Sequence, residues 1–218
     1  MAKQLPRQIE ALKQKILFVG TLVEEAITKA IAALINRDRN LAQSVIEADA
    51  EIDRMEVDVE EEVLKILALY QPVAADLRFV VAVLKINNDL ERMGDLAKNV
   101  AKRVVFLSNC ERFDLPVDFR GMATRAQAMV KRSLDALVNS DPVLARKVRE
   151  SDDEVDNLQV QIYQELTELM RQNPNAVQRG VRLIIISRQL ERLADHATNI
   201  AEKVIFLVKG EDIRHGGA

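Results

Sequence analysis

The sequence has no tryptophan, a single cysteine, five prolines and seven glycines in 218 residues, and aromatic side chains make up 4% of it. So little Gly and Pro excludes a loop-rich or collagen-like chain and leaves few places where a helix must stop. The lone Cys110 cannot form an internal disulfide, which excludes a disulfide scaffold and suits a reducing compartment. No GxxxxGK[ST] loop is present to cradle phosphates. The net charge of −3 gives no basic excess of the kind a nucleic-acid binder uses. No apolar run approaches the roughly 18 residues of a membrane span. The opening "MAKQLPRQIEALKQK" also lacks the apolar core of a signal peptide. The expectation is a soluble, cytoplasmic protein. What the chain does have is Ala, Leu, Val, Ile, Glu, Lys and Arg, with 48% apolar and 30% charged residues, a composition that favours long helices over sheet.

The chain repeats itself. "ALINRDRNLAQSVIEADAEID" (33–53) aligns with "ALVNSDPVLARKVRESDDEVD" (136–156), and "NNDLERMGDLAKNVAKRVVFL" (87–107) with "SRQLERLADHATNIAEKVIFL" (187–207). Each repeat reads as three helices, so the expected fold is all-α, two tandem three-helix bundles of six long antiparallel helices. The first bundle covers residues 1–109 and the second 110–218. The segment "NCERFDLPVDFRG" (109–121), with its Pro and Gly, is the expected linker. In repeat one the helices run from about Leu5 to Asn36, Arg39 to Tyr70 and Ala75 to Asn109. The third carries Phe79, Val83, Ile86, Leu90, Met93, Ala97, Val100, Val104 and Leu107 at alternating three- and four-residue spacing, a narrow stripe suited to an antiparallel bundle. Asp38 and Asp141 are expected N-caps of the second helices, with Pro142 at a first helical position.

Four like-charge pairs then stand out. Asp49/Asp53, Glu91/Asp95, Asp152/Asp156 and Glu191/Asp195 each place two carboxylates four residues apart, on one helix face about 6 Å apart along the axis. Such pairs cost about 0.2–0.5 kcal/mol each when exposed. In a helical hairpin, residues equidistant from the turn lie side by side. The midpoint between Asp49/Asp53 and Glu91/Asp95 falls at Pro72, and that between Asp152/Asp156 and Glu191/Asp195 falls beside Pro174. Each hairpin is therefore expected to bring two carboxylate pairs to one height and to the same side of its apolar seam. Converging carboxylates call for hard, oxygen-seeking cations: Mg²⁺, Mn²⁺, Fe or Ca²⁺. Protein cations offer another compensation, since Lys98 lies three residues after Asp95 and Arg188 three before Glu191. The acidic stretch 47–62 also reads as a plain solvated helix face.

The stretches "VGTLVEEAI" (19–27), "VIEADAEID" (45–53), "QPVAADLR" (71–78), "DLERMGDLAKNVAKRV" (89–104) and "QLERLADHATNIAEKV" (189–204) resemble, in order and across nearly the whole chain, the PhoU family of phosphate-signalling regulators. The resemblance implies a six-helix, dimerising protein acting as a negative regulator of phosphate uptake and of the phosphate-starvation response. It also implies coupling of the phosphate transporter, through its ATPase subunit, to a membrane sensor histidine kinase. Contact with the membrane would come only through these partners, and no nucleic acid is involved. The family's E(D)xxxD motifs, which hold metal clusters in at least some members, fall on "DAEID", "ERMGD", "DDEVD" and "ERLAD". The implied ligands are thus Asp49, Asp53, Glu91, Asp95, Asp152, Asp156, Glu191 and Asp195, and the candidate ions are Fe, Mn, Mg or Zn.

Two departures weaken the likeness of the two copies. Leu96 stands where the family often has His, which the second copy keeps as His196, and the second copy reads "PNAVQRGVR" in place of "PVAADLR". By spacing, His196 reads as a helix-surface residue rather than a ligand. Asn99 and Asn199, four residues beyond Asp95 and Asp195, read either as support behind the ligands or as hydrogen bonds between helices. Arg78 and Arg182 read as surface ion pairs. No catalytic residues are expected: a ferritin-like oxidase needs Glu-x-x-His motifs, and the chain has only His196 and, in its C-terminal tail, His215. Two alternatives stand beside the regulator. One is a metal-dependent hydrolase built on the carboxylate clusters. The other is a metal-free helical scaffold.

Overall fold

Helix boundaries are set locally by caps. Asp38 accepts a hydrogen bond from the Leu41 amide at 3.0 Å, and Asp141 accepts from the Val143 and Leu144 amides at 2.8 and 3.0 Å, each satisfying donors that a helix start leaves orphaned. In a computed structural model that describes residues 4–110 and 118–210, the chain forms α1 (Leu5–Asn36), α2 (Arg39–Tyr70), α3 (Ala74–Leu107), α4 (Phe119–Asn139), α5 (Pro142–Glu150), α6 (Asp152–Gln172) and α7 (Val177–Lys209). A short 3₁₀ turn, Pro174–Ala176, precedes α7. There is no strand among the described residues. Residues 111–117 of the expected linker, and His215, lie outside the described residues.

The second helix of repeat two is interrupted where one continuous helix was expected. Ser151 separates α5 from α6, and its hydroxyl donates back to the Lys147 carbonyl at 2.9 Å. The restart puts Asp152, Asp153 and Glu154 in the first turn of α6, where free amides and the helix dipole favour negative charge. Scarce glycine shows at the tight turns. Arg37 and Ser140 take left-handed conformations (φ 56° and 50°) at equivalent points of the two repeats. Both turns are tied by paired backbone bonds, such as Asp38 N to Ala33 O and Asp141 N to Ala136 O, each at 2.9 Å.

The expected seam of α3, with matching apolar stripes on α1 and α2, is the core. Leu12, Ile16, Val19 and Val23 of α1, Val45, Ile52, Val59, Val63 and Ile66 of α2, and Val83, Ile86, Leu90, Met93, Ala97, Val100, Val104 and Leu107 of α3 are all buried. Ile9, Met55 and Phe79 pack half-buried at its margin. Helices α1–α3 form one bundle and α4–α7 the other. The two are joined mainly through α3 packing on α7, so a single apolar cluster runs through both. Gly94 lets α3 approach α2 closely at the height of the acidic residues. A Cβ there would sit 3.2 Å from the Ile52 side chain.

Candidate functional site

Hairpin register decides which carboxylates meet. The turns fall at residues 71–73 and 173–176, around Pro72 and Pro174. Asn87 of α3 donates to the Glu56 carbonyl of α2 at 2.9 Å, which fixes the register of the first hairpin. The four expected residues of repeat one are thereby brought together. Burial raises the Asp53 carboxyl above its ordinary value; Asp49 adds to this, Lys98 opposes it and Asp95 adds again. Glu91 is raised by burial, lowered by Arg92, and raised by Asp95, Asp53 and Asp49. Glu56 is a further member, raised by burial and by Glu60, Glu91 and Asp53. It lies three residues after Asp53 on the same face, a spacing that would have included it.

A cation already sits in this cluster. The Lys98 ammonium is hydrogen-bonded to Asp49, whose side chain is buried, and lies 3.7 Å from Asp95 Oδ1. It thus bridges α2 and α3, and these contacts raise the Lys98 pKa despite partial burial. Arg92 covers the outer side, 3.3 Å from Glu91 and 3.9 Å from Asp95.

Repeat two assembles the same four positions without the ammonium. Asp152 is pushed up to about 6 by burial, by Asp156 and by Asp195, with the nearby Thr198 hydroxyl pulling the other way and Asp153 adding to the rise. Its Oδ1 is buried and has no well-formed hydrogen bond. Thr198 is close enough to influence it, but the geometry between them falls short of a bond. Glu191 is raised by burial, Asp195 and Asp156, and Asp195 by burial and Asp156. Arg188 and Arg192 lower Glu191 from exposed positions. Among the described residues of either repeat, no three Asp, Glu, His or Cys side chains converge closely enough to hold a metal ion as they stand.

His196 is not a surface residue. It faces across the junction between repeats, with Nδ1 2.9 Å from Asp89 Oδ1, and Lys203 Nζ lies 2.8 Å from Asp89 Oδ2. The Asn199 amide reaches the same carboxylate at 3.5 Å, so Asn199 serves a contact between helices. Burial pushes Asp89 up, but the bonds from His196 and Lys203 outweigh it and hold the carboxyl below its usual range. Asn99 offers its carbonyl to Arg103 Nη1 at 2.8 Å. Arg182 is half-buried rather than in a surface ion pair, with its guanidinium 3.4 Å above the Phe106 ring. The Arg78 Nε is likewise buried.

A duplicated helical bundle with an acidic cluster in each hairpin defines a class: all-α proteins built from a tandem helical repeat. The pattern of the PhoU domain matches residues 16–104 and 119–204. The phosphate-specific transport system accessory protein PhoU homolog of Pseudomonas aeruginosa is 40% identical over 100% of this chain and 90% of its own. Its Aquifex aeolicus counterpart is 39% identical over 97% and 96%. The crystal structure of PhoU from Pseudomonas aeruginosa superposes with a TM-score of 0.90 at 40% identity, covering 94% of this chain and 99% of that one. That of the phosphate transport system regulatory protein PhoU from Streptococcus pneumoniae gives 0.86 at 30% identity, over 95% and 98%. The chain belongs to the PhoU family.

Proposed function

We propose that this chain is a non-enzymatic, cytoplasmic accessory of a phosphate transport system that restrains phosphate uptake and the starvation response. It would act as a helical adaptor, as a homodimer, between the transporter's ATPase subunit and a sensor kinase. The observation that carries the reading is the end-to-end match to relatives named as accessory or regulatory proteins of phosphate transport. Exposed apolar side chains support an adaptor role. Val73 and Leu77 near the tip of the first hairpin, and Val177 and Val181 near the tip of the second, stand out in solvent. No helix of the described residues is long and apolar enough to cross a membrane.

The metal part of the reading differs between the repeats. The oxygen donors Asp152, Asp156, Glu191 and Asp195 suit Fe, Mn, Mg or Zn, and binding one between α6 and α7 would require them to draw closer together than they stand. Such an ion would neutralise the cluster and cross-link the two helices. In repeat one Lys98 already holds Asp49 and lies 3.7 Å from Asp95, so an ion held by Asp49, Asp53, Glu91 and Asp95 would have to displace it.

The test of the regulatory role is complementation. In bacteria lacking their own PhoU protein, this chain should silence a starvation-response reporter in phosphate-rich medium. A reporter that stays on with the chain well expressed refutes the proposal. For the metal, saturable Mn²⁺ binding by chelator-stripped protein, lost in Asp152→Asn/Asp195→Asn, is expected; no saturable binding refutes it.

A further inference from the structure

We propose that Arg103 and Arg182 form a binding site for a small tetrahedral oxyanion of the phosphate or sulfate class, at the junction of the two repeats. The junction is built from corresponding helices, α3 and α7, so each place on one side of it has a counterpart on the other. On one side the Lys203 ammonium of α7 is neutralised by the Asp89 carboxylate of α3 at 2.8 Å. On the other, Arg103 stands at the place of Lys203, but Gln189 stands at the place of Asp89, so the chain supplies no carboxylate there. Arg182 adds a second positive charge. Burial and then the Arg182 charge lower the Arg103 pKa, and no carboxylate acts in the other direction. Among the described residues neither guanidinium makes an ion pair, and the Nε of each is buried without a hydrogen bond. Arg103 donates from Nη1 to the Asn99 carbonyl at 2.8 Å. The last carbonyls of α3 could offset positive charge at this end, but Arg37 takes those of Leu107 and Cys110 at 2.6 and 2.7 Å. The Arg182 guanidinium lies 3.4 Å from the centre of the Phe106 ring, a contact that engages its face and leaves its edge donors to an acceptor in the guanidinium plane. Two half-buried like charges favour an anion beside them. Guanidinium forks from two helices suit the four oxygens of a tetrahedral anion, whereas a carboxylate offers two oxygens in one plane.

Inorganic phosphate, and sulfate in a parallel titration, are added to full-length protein at low ionic strength and followed by isothermal titration calorimetry. Excess chelator is present, so that no metal held elsewhere recruits the anion. Each anion should bind saturably at a single site, and saturating phosphate should raise the melting temperature. Arg103→Gln and Arg182→Gln should each weaken binding by at least about tenfold. Arg188→Gln, at an exposed arginine of α7 beside the acidic cluster, should leave it unchanged. Gln189→Asp keeps both arginines and gives the chain its own carboxylate at the place of Asp89. It should raise the melting temperature in phosphate-free buffer and weaken phosphate binding as far as the arginine variants do, and it carries the test if either of those does not fold. No saturable binding of phosphate or sulfate overturns the inference. So does binding that survives both Arg103→Gln and Arg182→Gln, or a loss in Arg188→Gln as large as theirs, which would reduce the effect to general surface charge.

Discussion

Replacing Asp89 with Asn should destabilise the protein far more than a surface substitution would. The Asp89 side chain is 7% exposed and receives His196 at 2.9 Å and Lys203 at 2.8 Å, both from the other repeat. Breaking a buried ion pair by removing one partner typically costs 3–5 kcal/mol, roughly. Two features reduce that here. The Lys203 and His196 side chains are 19% and 15% exposed and can draw on water, and Asn keeps an acceptor for one of the two donors. A loss of about 2–3 kcal/mol follows, which for a chain of this size lowers the melting temperature by roughly 4–12 °C.

The pH dependence has a definite sign. The folded carboxyl sits below its ordinary value. Its contribution is therefore complete above the unfolded pKa of about 3.9 and disappears as pH falls through the folded value. The gap between wild type and Asp89→Asn should close in acid. Urea unfolding followed by far-ultraviolet circular dichroism measures it. A cycle with Lys203→Met should give a coupling above about 1 kcal/mol. A gap under about 0.5 kcal/mol at neutral pH, or one that persists unchanged in acid, would refute the buried-pair reasoning and reduce the contact to an exposed ion pair.

Other outcomes are expected. In chelator, Asp152→Asn should stabilise the protein near neutral pH by on the order of 1 kcal/mol, discounted for its partial exposure. The carboxyl is raised to about 6, so wild-type stability should fall relative to that variant as pH rises from about 4 to about 6 and level off above; parallel curves in urea titrations across that window would count against it. Asp141→Ala removes the acceptor of two amides at the start of α5 and should cost about 1 kcal/mol, seen as a melting temperature roughly 2–4 °C lower.

Much of the fold is legible in single-helix patterns. The bounds of α1 and α2 follow from their apolar stripes and from Asp38, and the hairpin register follows from Pro72 and Pro174 because equal distances from a turn must meet. The apolar period runs on through the break at Ser151, yet "ESDDEVD" carries its signal: a Ser followed by three acidic residues is how a helix begins. The carboxylate pairs are legible, since like charges four apart are visible in one dimension. The contact of Asp89 with His196 and Lys203 is not. It depends on which face of α3 packs on α7, a tertiary choice that no single helix encodes. The available hint was asymmetry: Asp89 and His196 correspond to Gln189 and Leu96, so the two copies differ at the positions that touch across the junction.

The packing of α3 on α7 bears on ancestry. These two helices are the same helix of the two repeats, laid antiparallel, with Phe106 beside Arg182 toward one end and Asp89 beside His196 and Asn199 toward the middle. That is the arrangement of an isologous dimer, here joined into one chain. A free half would meet another copy of itself through this surface, yet would set Asp89 against Leu96 and Arg103, the counterparts of His196 and Lys203. In this chain the two faces of the junction differ, and repeat two supplies both His196 and Lys203 to the buried Asp89 of repeat one.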